Sequence, residues 1–468
     1  MFCNFELKNF CLINYTDDII YAISSPPGMG AIALIRLSGK GSINLVDSIF
    51  SKNIADTKGY TVHFGELKKD HHVLDEVIVN VFRGPNSFTG EDTVEIACHG
   101  SIYIQQKILE LLAEKGARLA LPGEFSKRAF FNGKMDLTQT ESIADLIHSE
   151  SEAEHKIAMQ QMKGGISKEL NILREKLIEF ASLVELELDF SEEDVEFADR
   201  SQLEMLIEQI TSKVHELSDS FKTGNAIKNG VSVAIVGKPN AGKSSWINVL
   251  TDDDVAIVTD IPGTTRDKIE VPIFIEGVKY RLIDTAGLRE TDDVVEGIGV
   301  KKAKEVIANS SIVMLVLDGA TTTSEEVKTQ LQEVAELSPE GELLVLVNKK
   351  DLMKNTLDLN IFDGVGVLVV SSNDDACRKD VIGLLAEKAN IGNSGEKSVV
   401  ISNLRHFEAL KKSEEFLIKV SEGMSNQVSG DFLAMDIRQV LHHLGSITGE
   451  ISTDDLLGSI FQNFCIGK

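Results

Sequence analysis

A phosphate-binding pattern stands near the middle of this chain of 468 residues. The apolar run Val231–Val236 predicts a buried strand, and Gly237 follows it at once, with Gly242, Lys243 and Ser244 after four further residues. Glycines let backbone N–H groups surround a phosphate chain, the lysine can reach the outer phosphates, and the serine hydroxyl can bind Mg²⁺. A helix predicted directly afterwards adds partial positive charge at its N-terminus. The pattern therefore indicates a site for the phosphates of a nucleotide and for Mg²⁺.

Two later segments indicate that the base is guanine. A predicted strand, Leu343–Val347, leads into Asn348-Lys349-Lys350-Asp351, whose last carboxylate can accept from both the N1–H and the 2-amino group of guanine. Adenine has neither donor, so a carboxylate left without a partner disfavours ATP. The strand predicted at Val367–Val370 leads to Ser371 and Ser372, which suit backbone contact with the guanine O6. The order and spacing of these segments predict a GTPase domain.

The residues expected near the γ-phosphate depart from the usual hydrolytic pattern. Asp284 ends a predicted strand and can hold Mg²⁺ through water, and the Gly287 N–H can meet the γ-phosphate. Many small GTPases orient the attacking water with a glutamine close after this glycine, where this chain has Leu288, which cannot polarise water. An acid of the following run can do so, or the run is a solvated loop; its members are Glu290, Asp292, Asp293 and Glu296. Residues 259–267 have the composition of a phosphate-sensing switch, in which a threonine completes the Mg²⁺ shell. The residues expected to bind GTP are Asn240, Ala241, Gly242, Lys243, Ser244, Ser245, Thr259, Thr264, Thr265, Asp284, Thr285, Ala286, Gly287, Asn348, Lys349, Asp351, Ser371 and Ser372.

The composition argues against several other classes of protein. A formal net charge of −26 disfavours a long basic groove for nucleic acid, so we expect any RNA contact to be local or shared with a partner. The five cysteines show no paired or metal-ligand spacing, which predicts reduced thiols and a cytoplasmic protein. No apolar run is long enough to span a bilayer. Residues 1–17 lack the basic segment and hydrophobic core of a signal peptide, and they are not Arg-rich as transit peptides are.

The segments on either side of the predicted GTPase domain have different patterns. Short strands alternate with helices before residue 132; the predicted elements are strands at Ile19–Ser24, Ala31–Ser38, Glu76–Phe82 and Thr93–His99 and a helix near Ile102–Lys115. From about Leu137 to Phe221, and again after about Ala389, apolar residues recur at three- and four-residue steps, which is typical of amphipathic helices. A helical region interrupted by a strand-rich GTPase predicts that one domain is inserted into another. The expected joints are Gly224, Gly230, Gly392 and Gly395.

Several separate motifs make the chain similar to the MnmE family (also called TrmE) of tRNA-modifying GTPases, from about Ile19 to the last residue. These motifs are Pro26-Pro27-Gly28-Met29-Gly30, Phe88-Thr89-Gly90-Glu91-Asp92, Pro122-Gly123-Glu124-Phe125, Gly133-Lys134-Met135-Asp136-Leu137, Gly263-Thr264-Thr265-Arg266-Asp267 and the terminal Phe464-Cys465-Ile466-Gly467-Lys468. The terminal Cys-Ile-Gly-Lys is highly specific for that family.

The resemblance implies a multidomain α/β plus α fold. Residues 1–133 would form an N-terminal α/β domain that dimerises and binds folate, and residues 134–228 and 389–468 would form a helical domain. A Ras-like P-loop GTPase domain, residues 229–388, would be inserted between them. The implied activity is that of a K⁺-dependent GTPase working with the FAD-containing flavoprotein MnmG in a heterotetramer. Together they would install a (carboxymethyl)aminomethyl group at C5 of the tRNA wobble uridine, with a 5-formyl- or 5,10-methylene-tetrahydrofolate as the source of the one-carbon unit.

The resemblance also assigns residues to each ligand. The K⁺ ligands would be Asn240, Thr259, Ile261 and Thr264, and those of Mg²⁺ would be Ser244 and Thr265. The folate would be bound by Arg36, Glu95, Lys134 and Lys468. Glu296 would orient the attacking water through a bridging water, and Cys465 is either a buried small residue or a participant in the modification. A monovalent cation beside the phosphates would neutralise charge in the transition state.

The chain departs from the family pattern at two positions, and two other functions remain as alternatives. Met29 stands where the family usually has a basic residue, and Ser101 where it has a second glycine. The GTPase segment by itself also resembles the ribosome-assembly GTPases Era and Der, although these usually add a basic RNA-binding module. The other alternative is a regulatory or scaffold GTPase that acts only by switching.

Overall fold

The computed structural model of the protein describes residues 18–189, 200–251, 270–285, 296–339, 341–353, 359–362, 364–389, 399–426, 428–462, 464 and 467. The chain divides into two compact units, one formed by Met1–Ala144 with Thr448–Lys468 and the other by Asp145–Ile447. The four segments predicted from the resemblance stay a prediction, since the two units cut the chain at other residues.

The described residues form twelve strands and fourteen α-helices. The strands are β1 Ile20–Ile23, β2 Ile32–Ser38, β3 Thr61–Lys69, β4 His72–Phe82, β5 Thr93–His99, β6 Arg118–Leu119, β7 Val231–Val236, β8 Glu270–Ile275, β9 Val278–Asp284, β10 Ile312–Asp318, β11 Glu342–Asn348 and β12 Gly366–Val369. The helices are α1 Ser42–Asp47, α2 Ile102–Glu114, α3 Glu124–Phe131, α4 Leu137–His148, α5 Glu152–Met162, α6 Gly165–Asp189, α7 Arg200–Asn229, α8 Lys243–Thr251, α9 Glu296–Ala308, α10 Ser324–Leu337, α11 Asp375–Ala389, α12 Leu404–Ser425, α13 Gly430–Thr448 and α14 Asp454–Gln462. Among the described residues, no helix combines the length and apolar character needed to cross a membrane.

The first unit is built on a six-stranded sheet with the order β3-β4-β5-β2-β1-β6. Neighbouring strands are antiparallel except β1 and β6, which are parallel. One face packs on α1 and α2 through a core that includes Ile35, Val46 and Leu111. The other face carries a smaller cluster in which Ala22 of β1 packs with Phe125 of α3. The sheet therefore has α3 on the face opposite to its main core.

A helical core in the second unit joins two parts of the chain that are far apart in sequence. Helices α6, α7, α12 and α13 contribute to one apolar cluster. Eight residues at the predicted helical spacing before the GTPase segment are buried in it, namely Leu173, Leu177, Phe180, Val184, Ile207, Ile210, Val214 and Leu217. Leu410 and Val420 of α12 and Leu444 of α13 belong to the same cluster. The prediction of a helical domain interrupted by another domain is confirmed.

The prediction that Gly224 is a joint at a domain boundary is wrong. It lies inside α7, where a Cβ atom would come within 2.2 Å of the Ile401 carbonyl oxygen. The chain re-enters the helical core at this point, and the Ile401 N–H donates to the Ser220 hydroxyl at 3.0 Å. The glycine is therefore explained by close backbone packing. Gly230 does end α7, with a φ of 77°, whereas Gly392 and Gly395 lie outside the described residues.

The inserted domain contains a second six-stranded sheet, of order β12-β11-β10-β7-β9-β8. All its strand pairs are parallel except β8 with β9. All six residues of β7 are buried, as the continuous apolar run predicted, since a central parallel strand is covered on both faces. The carboxyl ends of β7, β9, β10 and β11 consequently meet at one edge of the sheet, where ligands bind in open α/β folds.

Two strands of the first unit were not predicted from the sequence. β3 holds Gly65 in its middle and leaves Val62 and Phe64 exposed, so these two apolar residues do not mark a buried face. β6 is only two residues long. Elsewhere the predicted strands and helices match the described ones within a few residues at each end, and β5 matches at both ends.

Candidate functional site

The phosphate loop follows β7 and leads into α8. Asn240 adopts the left-handed conformation with a φ of 61°, which non-glycine residues reach mainly in special turns. Gly242 has a φ of 102°, and a Cβ atom there would lie 2.2 Å from Asn348 Nδ2. That amide nitrogen donates to the Ala241 carbonyl at 2.9 Å. The loop is thus held in shape from the β11 side, and a side chain at Gly242 would push the two apart.

Lys243 and Trp246 lie at the start of α8. The Lys243 ammonium donates to the carbonyl oxygens of Gly237 at 3.0 Å and Lys238 at 2.9 Å, so it is folded back along the loop that would surround the phosphates. Trp246 is fully buried in the core beneath the loop. The tryptophan therefore has a packing role in the core of the inserted domain.

The opposite end of the site is built by the residues after β11 and β12. The Ser371 hydroxyl donates to one carboxylate oxygen of Asp351 at 2.9 Å, which fixes the orientation of that carboxylate. Asn348 is 1 % exposed, and its side-chain oxygen is buried with no hydrogen-bond partner among the residues that the structure describes. A buried acceptor without a donor is costly unless a ligand supplies one. The polar atoms here fit a base that brings hydrogen-bond donors.

Lys349 is held by a residue that the sequence interpretation missed. Its ammonium lies 2.7 Å from the Asp318 carboxylate at the end of β10. Partial burial would raise the pKa of Asp318, but the Lys349 ammonium and the Ala320 N–H outweigh it and lower that pKa. The signal was present in the sequence, because Asp318 ends an apolar run in the same way as Asp284 does.

These residues enclose one cleft of about 690 Å³, a size typical of sites for small ligands. Its walls include eleven of the residues predicted to bind GTP, namely Asn240, Gly242, Lys243, Ser244, Ser245, Thr285, Asn348, Lys349, Asp351, Ser371 and Ser372. Thr285 is anchored to β7, because its hydroxyl donates to the Ile235 carbonyl at 2.8 Å. A second cleft of about 710 Å³ lies between α9 and α10, and none of the base-side residues lines it.

Several predicted site residues lie outside the described part of the chain. They are Thr259, Ile261, Thr264, Thr265, Ala286, Gly287, Cys465 and Lys468. Glu296 is the first residue of α9, and its side chain is not described. Assignments to these residues therefore stay predictions. No cluster of three or more His, Cys, Asp or Glu side chains that could hold a metal occurs among the residues that the structure describes.

A second candidate site lies on the first unit, around Arg36 and Glu95. The two residues are cross-strand partners on β2 and β5, and the Arg36 guanidinium donates to Glu95 at 2.8 and 3.0 Å. Both side chains are largely covered, at 16 % and 17 % exposure. The guanidinium also faces the rings of Phe88 and Phe125, at 5.2 and 5.9 Å from their centroids. The predicted folate residues Arg36 and Glu95 are thus brought together, paired with each other.

Lys134 contacts the loop that carries Phe88. Its ammonium donates to the Pro85 carbonyl at 2.9 Å, and a buried ion-pair network fixes the same loop to α3. In that network Arg128, which is 1 % exposed, lies 3.2 Å from Glu91 and 2.7 Å from Asp18. Arg36 and Lys134 therefore contact the same loop, at Phe88 and at Pro85 respectively.

The fold and the cleft define a P-loop GTPase, and comparison with known proteins narrows the class. Residues 137–465 match the family model described as the MnmE helical domain, and residues 19–134 match the one described as the N-terminus of GTP-binding protein TrmE. The chain belongs to the MnmE family of tRNA modification GTPases.

Individual relatives extend over nearly the whole chain. The tRNA modification GTPase MnmE of Cytophaga hutchinsonii is 49 % identical over 456 residues, which cover 97 % of this chain and 98 % of that protein. The protein of the same name from Flavobacterium johnsoniae is 47 % identical over 462 residues, covering 96 % and 99 %. Among solved structures, the G domain of the T. maritima FeoB iron transporter is 26 % identical and aligns with 34 % of this chain and 99 % of that chain, with a TM-score of 0.27.

Proposed function

We propose that this protein is a K⁺-dependent GTPase that, together with the flavoprotein MnmG, modifies C5 of the tRNA wobble uridine with a tetrahydrofolate one-carbon unit. The observation that carries the proposal is the similarity over 97 % of the chain to a protein named tRNA modification GTPase MnmE. The ribosome-assembly alternative is not favoured, since the matched family models cover both segments outside the inserted domain.

GTP would lie in the cleft with its phosphates on the loop before α8 and its base at Asp351. Ser244 and the predicted Thr265 would hold Mg²⁺, which supplies positive charge against the phosphates when bound. Lys243 would exchange its two backbone acceptors for phosphate oxygens, a gain because charge-assisted hydrogen bonds are the stronger ones. Guanine specificity would come from the Asp351 carboxylate, which Ser371 orients.

Two features support dependence on K⁺. They are the position of Asn240 in the cleft and the lack of a water-positioning glutamine after Gly287. Asn240 lines the cleft in a left-handed conformation, and its side-chain oxygen is of the type that binds K⁺. The sequence has Leu288 in place of a water-positioning glutamine. A cation beside the phosphates would supply the charge stabilisation that an arginine finger supplies elsewhere.

We expect GTP turnover to be faster in K⁺ than in Na⁺ by about 100-fold, the lower end of the range for loss of a single electrostatic group from an active site. Turnover should be measured in the two chloride salts at equal ionic strength. Asn240→Ala should remove most of the difference between the salts, and Asn373→Ala, at the opposite end of the same cleft, should keep it. Equal rates in the two salts for the unchanged protein would contradict the assignment.

The folate would bind beside the Arg36–Glu95 pair, with the Lys134 and Lys468 ammonium groups available for its carboxylates. Glu95 would accept from N–H donors of the pterin, and the rings of Phe88 and Phe125 add flat apolar surface at the same place. The folate supplies a one-carbon unit when bound. An ion pair whose two side chains are already mostly covered is suited to recognition, because little further desolvation is needed.

A homodimer is supported by an exposed apolar surface on the first unit. Val62, Phe64 and Ile78 on β3 and β4 share one face of the sheet and are 69 %, 58 % and 44 % exposed. The same face carries Glu95 and Arg36, which lie in the same row of cross-strand partners as Val62. A second copy covering this surface would lie next to the proposed folate site.

The tRNA and MnmG are proposed partners, and a cytoplasmic location follows from a substrate found there. The net charge of −26 fits tRNA contact that is shared with the partner protein.

The proposed function is tested by measuring the modification of the wobble uridine in cells. We expect bulk tRNA from cells lacking this protein to lose the C5 modification, as measured by mass spectrometry of nucleosides. Re-expression of the natural chain should restore it, and re-expression of Lys243→Ala should not, because the phosphates lose the cationic side chain of the loop. Unchanged wobble uridine in the deletion strain would refute the function and would favour a GTPase that acts only by switching.

A further inference from the structure

The C-terminal helix packs on the start of α3 with almost no space between them. Gly123 precedes α3 with a φ of 65°, and a Cβ atom there would come within 2.7 Å of the Phe461 carbonyl oxygen and 3.0 Å of Phe464 Cβ. Phe461 is 3 % exposed, and its ring meets that of Phe464 at 5.4 Å. A side chain at position 123 would therefore displace the end of the chain.

A second contact holds the chain closer to its last residue. The Ser24 hydroxyl donates to the Gly467 carbonyl at 3.0 Å. Gly467 is buried with a φ of 100°, and a Cβ atom there would lie 2.4 Å from the Ile23 carbonyl oxygen. Lys468 follows Gly467 directly in the sequence.

Both contacts are made by residues close in sequence to a neighbour of Arg36. Ala22, two residues before Ser24, is the cross-strand partner of Arg36. Phe125, two residues after Gly123, lies under the Arg36 guanidinium. Since directly paired residues on neighbouring strands point to the same face, the two anchor points flank the surface on which Arg36 lies.

We infer that Ser24 and Gly123 are positioning residues, which fix the C-terminal end of the chain beside the Arg36 site. The expected effect on tRNA modification rests on the proposed function, whereas the anchoring of the chain end does not. Chain ends are mobile unless they are tied down, and ordering one costs entropy. Two anchors that order Phe464 and Gly467 before substrate binds leave less of that cost to the reaction.

The anchoring is tested by carboxypeptidase B, which removes a terminal lysine, with release of Lys468 followed by mass spectrometry. We expect Ser24→Ala and Gly123→Ala to release Lys468 at least threefold faster than the natural chain. The control for Ser24 is Ser25→Ala, whose hydroxyl accepts from the Leu34 N–H. The control for Gly123 is Gly133→Ala, which has a φ of 66° and open space around its Cβ. Equal release from all five proteins would overturn the anchoring.

The role in the reaction is tested with Ser24→Ala and Ser24→Thr in a tRNA modification assay with MnmG. We expect Ser24→Ala to lower kcat of modification at least fivefold with an unchanged KM for GTP, and Ser24→Thr, which keeps the hydroxyl, to restore it. Faster Lys468 release with normal modification would overturn the positioning role. If the natural chain itself modifies no tRNA, the proposed function fails while the carboxypeptidase result still decides the anchoring.

Discussion

Asp351→Asn is expected to weaken GTP binding by at least about 30-fold. Each buried donor or acceptor left without a partner costs on the order of 1–3 kcal/mol, and guanine would lose the acceptor for two donors. The contact with Ser371 determines how the side chain of the new asparagine is oriented. Its hydroxyl donates to one oxygen of the residue, so an asparagine will turn its oxygen toward Ser371 and its NH₂ group toward the base.

An NH₂ group in that position suits a different base. Xanthine has a carbonyl oxygen where guanine has its 2-amino group, so Asp351→Asn should bind XTP better than the natural protein does. Affinities for GTP and XTP can be measured by calorimetry. Asp374→Asn is the matched control, because Asp374 caps α11 through the Ala376 N–H at 3.0 Å, and asparagine caps equally well. Unchanged GTP affinity in Asp351→Asn would remove the basis for assigning guanine.

Deletion of residues 465–468 is expected to abolish tRNA modification and to leave GTP hydrolysis within about twofold of normal. The helix α14 should stay docked, since Phe461 and Leu457 form its core contacts with Leu137. A misplacement of about 1 Å near reacting groups can cost on the order of 100-fold in rate, so loss of the whole segment should cost at least that much.

Three measurements separate the causes of that loss. Equilibrium dialysis with 5-formyl-tetrahydrofolate should show weaker binding in the deletion variant and in Arg36→Ala. Cys465→Ser should keep folate binding. If this variant nevertheless loses tRNA modification, the thiol has a chemical role in the reaction. GTP turnover is the internal control for folding in every variant. A truncated protein that modifies tRNA at a normal rate would show that the end of the chain has no part in the reaction.

The sequence was most informative where chemistry requires fixed spacing. The glycines, Lys243 and Asp351 of the GTP site could be placed because phosphate and guanine recognition constrain both residue type and order. Buried strands such as β7 were equally evident, because a strand covered on both faces is apolar throughout.

The sequence was least informative where the reason for a residue lies in another part of the chain. Gly224 looked like a joint, and only the approach of Ile401 explains it. The Lys349–Asp318 and Ser24–Gly467 contacts join residues 31 and 443 positions apart. β3 was not predicted, because its Val62 and Phe64 are exposed and so give no pattern of a buried face.

The split helical core has a consequence for how the protein is made. Helices α6 and α7 leave the ribosome about 200 residues before α12 and α13, which is roughly 10 to 40 seconds at roughly 5–20 residues per second. During that interval the apolar residues of α6 and α7, such as Leu177 and Val214, have no partners from the second half. The elements from β7 to α11 are continuous in sequence and can fold as a unit meanwhile. A nascent chain will therefore possess its nucleotide-binding domain while its helical core is still half built, and α6 and α7 are the helices that most need protection from aggregation during translation.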